Sequence, residues 1–162
     1  YLQAKASMTP PRSEPVDLCS FLSSLVQGEA PEEDVHVEVD AGVRLCTDRD
    51  YLQRIISNLL RNALHYAGSY GPVHIRAEAR EGETVISVRD RGPGVPEEDL
   101  PLLCEPFFRG RAASTHPGGT GLGLSIVKDC TESCGGHLEY DNIRPQGFEV
   151  RLHFPSRRKN VC

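Results

Sequence analysis

The sequence predicts an α+β domain, a two-layer α/β sandwich in which about three helices cover one face of a mixed, mostly antiparallel sheet of about five strands. Two observations lead to this prediction. Apolar residues recur at helical spacing in two long segments, and other segments alternate apolar with polar residues as half-buried strands do. With 162 residues, of which 38% are hydrophobic, the chain is long enough for one ordinary domain with a sizeable core.

The first half of the chain predicts a linker, a helix and two strands. Residues 1–7 resemble the end of a helix, and the three prolines within residues 8–16 predict a stiff linker. Asp17 is the candidate N-cap of an amphipathic helix that ends at Gly28. Alternating valines and a shorter apolar run then predict strands over residues 35–39 and 43–46.

The second half begins with the strongest helix, which has Asp48 as its candidate N-cap, a continuous apolar stripe and Gly68 at its end. Two segments rich in valine and isoleucine, 72–79 and 84–90, predict an antiparallel hairpin. The remaining predicted elements are a short helix over 97–104, a mobile loop over 109–119, a helix over 120–134, and strands over 137–142 and 148–154.

Charge and composition exclude several classes of protein. The net charge is −5, from 18 Lys and Arg against 23 Asp and Glu, so we expect no general attraction for nucleic acid or anionic membranes. The longest uncharged run, residues 112–127, carries four glycines and is too short to span a membrane. The first residues lack the apolar centre of a signal peptide.

The six cysteines match no zinc or redox motif. No pair is spaced CxxC and no histidine lies at zinc-finger spacing, so the sequence predicts no zinc site. Cys130 and Cys134 share one face of a predicted helix, which leaves a redox pair as an alternative. Without a secretory signal, we expect a reducing compartment and buried thiols that act as small hydrophobic residues.

Two asparagines and an aspartate are candidates for ligand binding. Asn58 and Asn62 project from nearly the same face of the strongest helix. Such a pair is commonly solvated or capping; the functional alternative is a set of neutral oxygens for hydrated Mg²⁺ and donors for phosphate. Asp90 opens the segment DRGPGVP at a strand end. One interpretation is that this segment is only a structural turn. The functional alternative is that the Asp90 carboxylate accepts a hydrogen bond from an amine such as adenine N6.

A glycine-rich segment, GGTGLGL at residues 118–124, precedes the last helix. Such a turn exposes backbone N–H groups and the positive end of the helix dipole to phosphate. The segment follows a loop and lacks GKS or GKT, so neither a Rossmann site nor a Walker P-loop is expected. No acidic residue occurs over 106–127, whereas Arg109 and Arg111 do, which favours a polyanion there.

Taken in order, four segments resemble the motifs of the ATP-binding catalytic domain of sensor histidine kinases, within the family that includes type II topoisomerases, Hsp90 chaperones and mismatch-repair ATPases. The F-box-like segment and GLGLSIV favour the kinases, and the resemblance implies the Bergerat fold. The four segments are NLLRNALHYA (58–67, N box), DRGPGVP (90–96, G1 box), EPFFRG (105–110, F box) and GGTGLGLSIV (118–127, G2 box). In addition, GFEVRLHFP (147–155) resembles the family's last strand.

The resemblance implies a site for ATP, and it assigns the adenine to four residues. Asp90 would accept a hydrogen bond from the adenine amino group. Gly92 and Gly94 would lie beside the ring, and Tyr66 would pack near it.

The same resemblance implies a Mg²⁺ and phosphate site. Asn62 would hold Mg²⁺, and Asn58 would assist with the phosphates. Residues 109–119 would be the ATP lid, from which Arg109 or Arg111 would reach the γ-phosphate and stabilise the transferring group. The other residues expected around the nucleotide are His65, Gly119, Thr120, Gly121, Leu122 and Gly123.

Two features depart from the family pattern. His65 stands where the family often has Lys, which predicts weaker phosphate binding above about pH 7 because histidine loses its charge there; a solvated helix residue is the alternative. None of the six histidines lies directly before an acidic residue as the family's phosphoacceptor does. We therefore expect the acceptor on a dimerisation hairpin outside this chain.

The sequence thus predicts three regions: residues 1–16 as the end of that hairpin and a linker, 17–155 as the catalytic domain, and 156–162 as a basic tail. The expected partners are ATP, the missing hairpin and a response regulator. We expect this fragment to be a monomer and the full-length sensor to be a homodimer. We expect the domain to lie in the cytoplasm, where the full-length sensor can be anchored to the membrane. The alternatives are an anti-sigma-factor-type serine kinase and a non-catalytic, nucleotide-gated interaction module.

Overall fold

A five-stranded sheet with helices packed on one face forms the body of the molecule, and the predicted fold class is confirmed. The computed structural model describes residues 9–108 and 123–156. Its helices are α1 (Leu18–Glu29), α2 (Arg49–Ala67) and α3 (Gly123–Ser133). Its strands are β1 (Glu14–Asp17), β2 (Val35–Val39), β3 (Arg44–Thr47), β4 (Val73–Arg80), β5 (Glu83–Asp90), β6 (His137–Asn142) and β7 (Phe148–Pro155).

The large sheet has the order β2-β4-β5-β7-β6. Strand β2 pairs with β4 in parallel, and the other neighbours pair antiparallel, so the sheet is mixed as predicted. Side chains alternate along each strand. One face therefore supplies the core beneath the helices, while the other carries polar residues. The largest fully buried side chains are Leu18, Leu22, Leu52, Ile55, Ile56, Leu60, Ile75, Ile86, Leu152 and Phe154.

Both long helices begin at the predicted caps. Asp17 Oδ1 accepts from the Ser20 N–H at 3.1 Å, and Asp48 Oδ1 accepts from the N–H groups of Asp50 and Tyr51. Gly28 does not end α1, which continues to Glu29. A single glycine near a helix end is tolerated where the apolar face before it is already packed.

The proline-rich segment predicted as a linker ends in a strand. Strand β1 pairs antiparallel with β3, with Val16 opposite Leu45. Val16 is fully buried in the core, although the residues around it are exposed. Prolines are compatible with this strand because it lies in a two-stranded ribbon, outside the five-stranded sheet. The segment therefore belongs to the folded domain from Glu14 onward. Residues 1–8 and 157–162 lie outside the described residues.

Two other expectations need correction. The helix predicted over 97–104 is only a single 3-10 turn, Leu100–Leu102, followed by turns. Its Leu100 carbonyl accepts from the Tyr140 hydroxyl at 2.7 Å, and burial raises the pKa of Tyr140 to about 12. Cys46 is disulfide-bonded, which contradicts the expectation that all the thiols are reduced. The free thiols among the described residues are Cys19, Cys104, Cys130 and Cys134.

Within the described ranges, no helix is both long enough and apolar enough to cross a bilayer.

We predict that Val16→Ala destabilises the domain by about 1–3 kcal/mol, because it removes two buried methylene-sized groups and leaves a cavity. Glu14→Ala is the matched control on the same strand, since the ion pair of Glu14 with Arg49 is exposed and contributes little. Urea unfolding measures both. Equal stability of the two variants would show that the segment is a linker after all.

Candidate functional site

Helix α2 carries the two asparagines at the border of its buried stripe. Both are half-buried, and each is followed directly by a core residue, Leu59 or Ala63. The Asn58 amide Nδ2 donates to the Arg54 carbonyl at 2.7 Å, so its Oδ1 faces away from the helix backbone. This bond gives Asn58 a local structural role and leaves it one acceptor oxygen.

The first turn of α3 lies directly against Asn62. A Cβ atom built on Gly123 would be 2.9 Å from Asn62 Nδ2 and 3.2 Å from Oδ1. Glycine is therefore required at this position unless the amide moves. The contact joins the end of the glycine-rich segment to the strongest helix. It also places the positive end of the α3 dipole beside a neutral amide.

Asp90 ends β5 on the sheet face that the helices cover. It is 8% exposed, and its Oδ1 accepts from the Gly92 N–H at 2.8 Å and from the Phe148 N–H at 3.2 Å. Burial raises the pKa of this carboxyl, and the two backbone donors oppose that shift. Since both hydrogen bonds end on Oδ1, Oδ2 keeps its capacity to accept from a ligand.

The turn after Asp90 packs on the last turn of α2. A Cβ on Gly92 would lie 2.5 Å from the Ala67 Cβ, so only glycine allows this approach. The contact brings the Asp90 carboxylate to the same end of the helix as Tyr66 and His65. His65 is exposed, and its ring meets the Tyr66 ring edge-on at 4.9 Å.

Asn142, at the end of β6, holds the next residues of this turn. Its Oδ1 accepts from the Val95 N–H at 2.8 Å, and its Nδ2 donates to the Val95 carbonyl at 2.7 Å. Gly94 passes beside the same amide with φ +79°, a conformation that favours glycine. The sequence did not single out Asn142. Its only signal is an amide at a strand end, and its partner is 47 residues away.

Six of the candidate residues lie outside the described residues: Arg109, Arg111, Gly119, Thr120, Gly121 and Leu122. The described part brings together Asn62 with Gly123, and Asp90 and Gly92 with the end of α2. Its donors and acceptors are an amide beside a helix N-terminus and a buried carboxylate with one available oxygen. Such groups suit a ligand with an anionic end and an amine-bearing ring.

Comparison with known proteins gives this arrangement a context. Residues 47–158 match the family model described as histidine kinase-, DNA gyrase B- and HSP90-like ATPase. The chain is 33% identical over 140 residues to the signal transduction histidine-protein kinase AfsQ2 of Streptomyces coelicolor, covering 86% of this chain and 26% of AfsQ2. It is 34% identical over 137 residues to the sensor histidine kinase component HK1 of Mycobacterium tuberculosis, covering 83% of this chain and 79% of HK1.

Solved structures agree with the sequence relatives. The mycobacterial sensor histidine kinase MprB superposes with a TM-score of 0.75 and 29% identity, over 90% of this chain and 99% of that structure. Full-length ShkA in complex with AMPPNP has a TM-score of 0.75 and 26% identity, over 88% of this chain and 31% of ShkA. The chain therefore spans about a third or less of AfsQ2 and of full-length ShkA.

We predict that Asp90→Asn raises the free energy of unfolding at pH 7. The pKa of Asp90 is raised in the fold, so the folded state disfavours the charged carboxylate above that pKa. The neutral amide removes this cost and still accepts the two backbone bonds through Oδ1. The gain should shrink as the pH falls through the raised pKa of the folded state, and it should vanish below the unfolded value of 3.8, where the carboxyl is protonated in both states.

Urea unfolding across this pH range measures the effect. Asp141→Asn, the same change at an exposed carboxylate, is the control and should shift stability by no more than about 0.5 kcal/mol. If Asp90→Asn were less stable than the parent at every pH, the charge of Asp90 would instead be stabilising its backbone bonds.

Proposed function

Because this chain belongs to the family of histidine kinase-, DNA gyrase B- and HSP90-like ATPases, we propose that it is the ATP-binding catalytic domain of a sensor histidine kinase. In this proposal it binds Mg-ATP and transfers the γ-phosphoryl group to a histidine on a dimerisation hairpin of the full-length protein. A response regulator would then receive the phosphoryl group, and the full-length sensor would be a homodimer.

One observation supports this proposal above the others: two motifs distant in sequence both pack on α2. Gly123 lies against Asn62, and Gly92 lies against Ala67. At 1.5 Å per residue, the two contacts are about 7.5 Å apart along the helix. A phosphate group at one contact and an aromatic base at the other is a spacing that a nucleotide can span. ShkA, which shares the fold, was solved with AMPPNP, an analogue of ATP.

At the adenine end, Asp90 would accept from the exocyclic amine through Oδ2. The backbone bonds to Oδ1 fix the orientation of the carboxylate, so the free oxygen is already directed before the ligand binds. Gly92 and Gly94 would let the backbone approach the ring, and Tyr66 would contact its edge.

At the phosphate end, Asn62 would supply an amide oxygen to Mg²⁺. A single neutral oxygen beside a helix N-terminus fits Mg²⁺, which is usually held by few protein groups together with water and phosphate oxygens. Asn58 would assist through its remaining acceptor oxygen. His65 and the residues Gly119, Thr120, Gly121, Leu122 and Gly123 would surround the phosphates.

Phosphoryl transfer needs positioning and charge stabilisation more than covalent chemistry from the enzyme. The acceptor histidine would attack phosphorus directly, so this domain needs no nucleophile of its own. Arg109 or Arg111 would stabilise the charge on the transferring group. A general base, if required, would come from the hairpin.

We predict that calorimetry detects Mg-ATP binding by the parent. The parent should bind ATP about 100-fold more tightly than ITP, because the inosine carbonyl would face Asp90 Oδ2. Asp90→Asn should weaken ATP and strengthen ITP. The two backbone donors hold the amide oxygen, so the amide Nδ2 replaces Oδ2 and presents a donor to the inosine carbonyl. A variant that loses both nucleotides equally would contradict this assignment.

Asn62→Ala should make nucleotide affinity independent of Mg²⁺ in the same experiment. Gln53→Ala, an exposed change on the same helix, is the control and should retain the Mg²⁺ dependence. No binding by the parent would exclude the ATP site and favour an interaction module without nucleotide.

We further predict that the chain, with radiolabelled ATP, labels a separately purified hairpin from a sensor histidine kinase. The label should be lost in acid and kept in base, as expected for phosphohistidine. An acid-stable label on serine would overturn the histidine kinase assignment in favour of a serine kinase. Asp90→Asn, which should not bind ATP well, is the negative control.

A further inference from the structure

Three side chains that can bind a metal converge at the end of the sheet opposite Asp90. His137 and His153 are direct partners in the β6–β7 register, and Glu139 is the next residue of β6 on the same face. One ligand atom from each lies within 4.8 Å of the other two. All three are on the open face of the sheet, away from the helices.

His153 is the buried member of this cluster, with 8% of its surface exposed. Its Nδ1 lies 3.2 Å from both carboxylate oxygens of Glu83. Its Nε2 is inaccessible to solvent and forms no hydrogen bond among the described residues. Glu139 Oε2 lies 3.3 Å from this nitrogen, at an ion-pair distance. A buried ring nitrogen without a hydrogen bond is unusual, since most buried polar atoms are paired.

We propose that His137, Glu139 and His153 bind a first-row transition metal ion of the Zn²⁺ class, with water completing the coordination. The set of two imidazoles and one carboxylate suits zinc. In a tetrahedral site with bonds of about 2.1 Å, ligand atoms lie about 3.4 Å apart. His153 Nε2 and Glu139 Oε2 already have nearly this separation.

The remaining ligand needs only side-chain rotation. The His137 and His153 rings are stacked, with centroids 4.7 Å apart and planes 4° from parallel. His137 and Glu139 are both exposed, so they can turn toward the ion and open a path to the buried nitrogen.

A metal-binding histidine ordinarily donates the N–H of its other ring nitrogen to an acceptor, and Glu83 is placed to be that acceptor for His153 Nδ1. A carboxylate that accepts from Nδ1 fixes the tautomer in which Nε2 is free to bind, and it makes the ring more basic. Three carboxylates, those of Glu83, Glu139 and Glu149, lie on this face near the cluster. Arg151 contacts Glu149 at 2.7 Å and Glu139 at 3.4 Å. Arg151 can therefore keep one partner while Glu139 binds the ion.

A second histidine pair on the same face provides a contrast. His36 and His74 are also register partners, with ring centroids 5.1 Å apart. His74 Nε2, however, lies 3.3 Å from an Arg91 guanidinium nitrogen. A nitrogen next to a guanidinium is a poor site for a cation. Two adjacent histidines alone are therefore not sufficient for the proposed site. The carboxylates of Glu83 and Glu139 distinguish His137 and His153 from the second pair.

The test is Zn²⁺ binding by the metal-stripped protein without nucleotide, measured by competition with a chromophoric chelator. The parent should bind one equivalent. His137→Gln, an exposed change that the fold tolerates, should weaken binding at least 100-fold, and Glu83→Gln should weaken it about 10–100-fold. One equivalent of Zn²⁺ should also raise the unfolding midpoint of the parent, but not of His137→Gln.

His36→Gln is the matched control and should bind Zn²⁺ as the parent does. Failure of the parent to bind one equivalent would overturn the proposal. So would unchanged binding by His137→Gln, which would indicate the free cysteines or another site, or an equal loss in His36→Gln. Since no nucleotide is present, these outcomes are independent of the ATP-binding proposal.

Discussion

The burial of one stripe of helix α2 against the sheet is the constraint on which the candidate site depends. Residues such as Leu52, Ile56 and Leu60 have no exposed surface, so the helix has little freedom to rotate. Its flanks are thereby fixed, and Asn58 and Asn62 are held at the border between core and solvent. Close contacts at Gly92 and Gly123 then attach two loops to the same helix. The site is assembled from loops, but a packed core sets its geometry.

Asp90 shows how such a site is maintained at some cost in stability. A buried carboxylate is disfavoured unless it is paired, and here two backbone N–H groups supply only part of what water would. A fold selected for stability alone would place an amide or an apolar residue there. In the proposed function, ligand recognition accounts for this cost, because the second oxygen of the carboxylate can distinguish an amine from a carbonyl on a ligand.

Much of the fold was predictable because periodicity and caps act locally. The α2 stripe, the Asp17 and Asp48 caps and the β4–β5 hairpin are all encoded within a few residues. The errors have a different physical origin. Strand β1 contains a proline and is stabilised by pairing with β3, about 30 residues later, which local reasoning cannot detect. Asn142 and Val95 are likewise remote in sequence. The glycine motifs were recognisable because their spacing is unusual, whereas one amide at a strand end is not.

The cluster of His137, Glu139 and His153 could not be predicted from the sequence, because zinc motifs are recognised by short spacings along the chain. These three residues are brought together by the register of β6 and β7. The position of the cluster also explains why it does not compete with the nucleotide site. Alternate residues of β7 point to opposite faces, so Leu152 and Phe154 pack in the core while Arg151 and His153 face away from it. At the other end of β7, the Phe148 N–H contacts Asp90 through the backbone. One strand thus supports the two sites with different residues, at opposite ends and through different groups. Binding at one site does not require a side chain that the other uses.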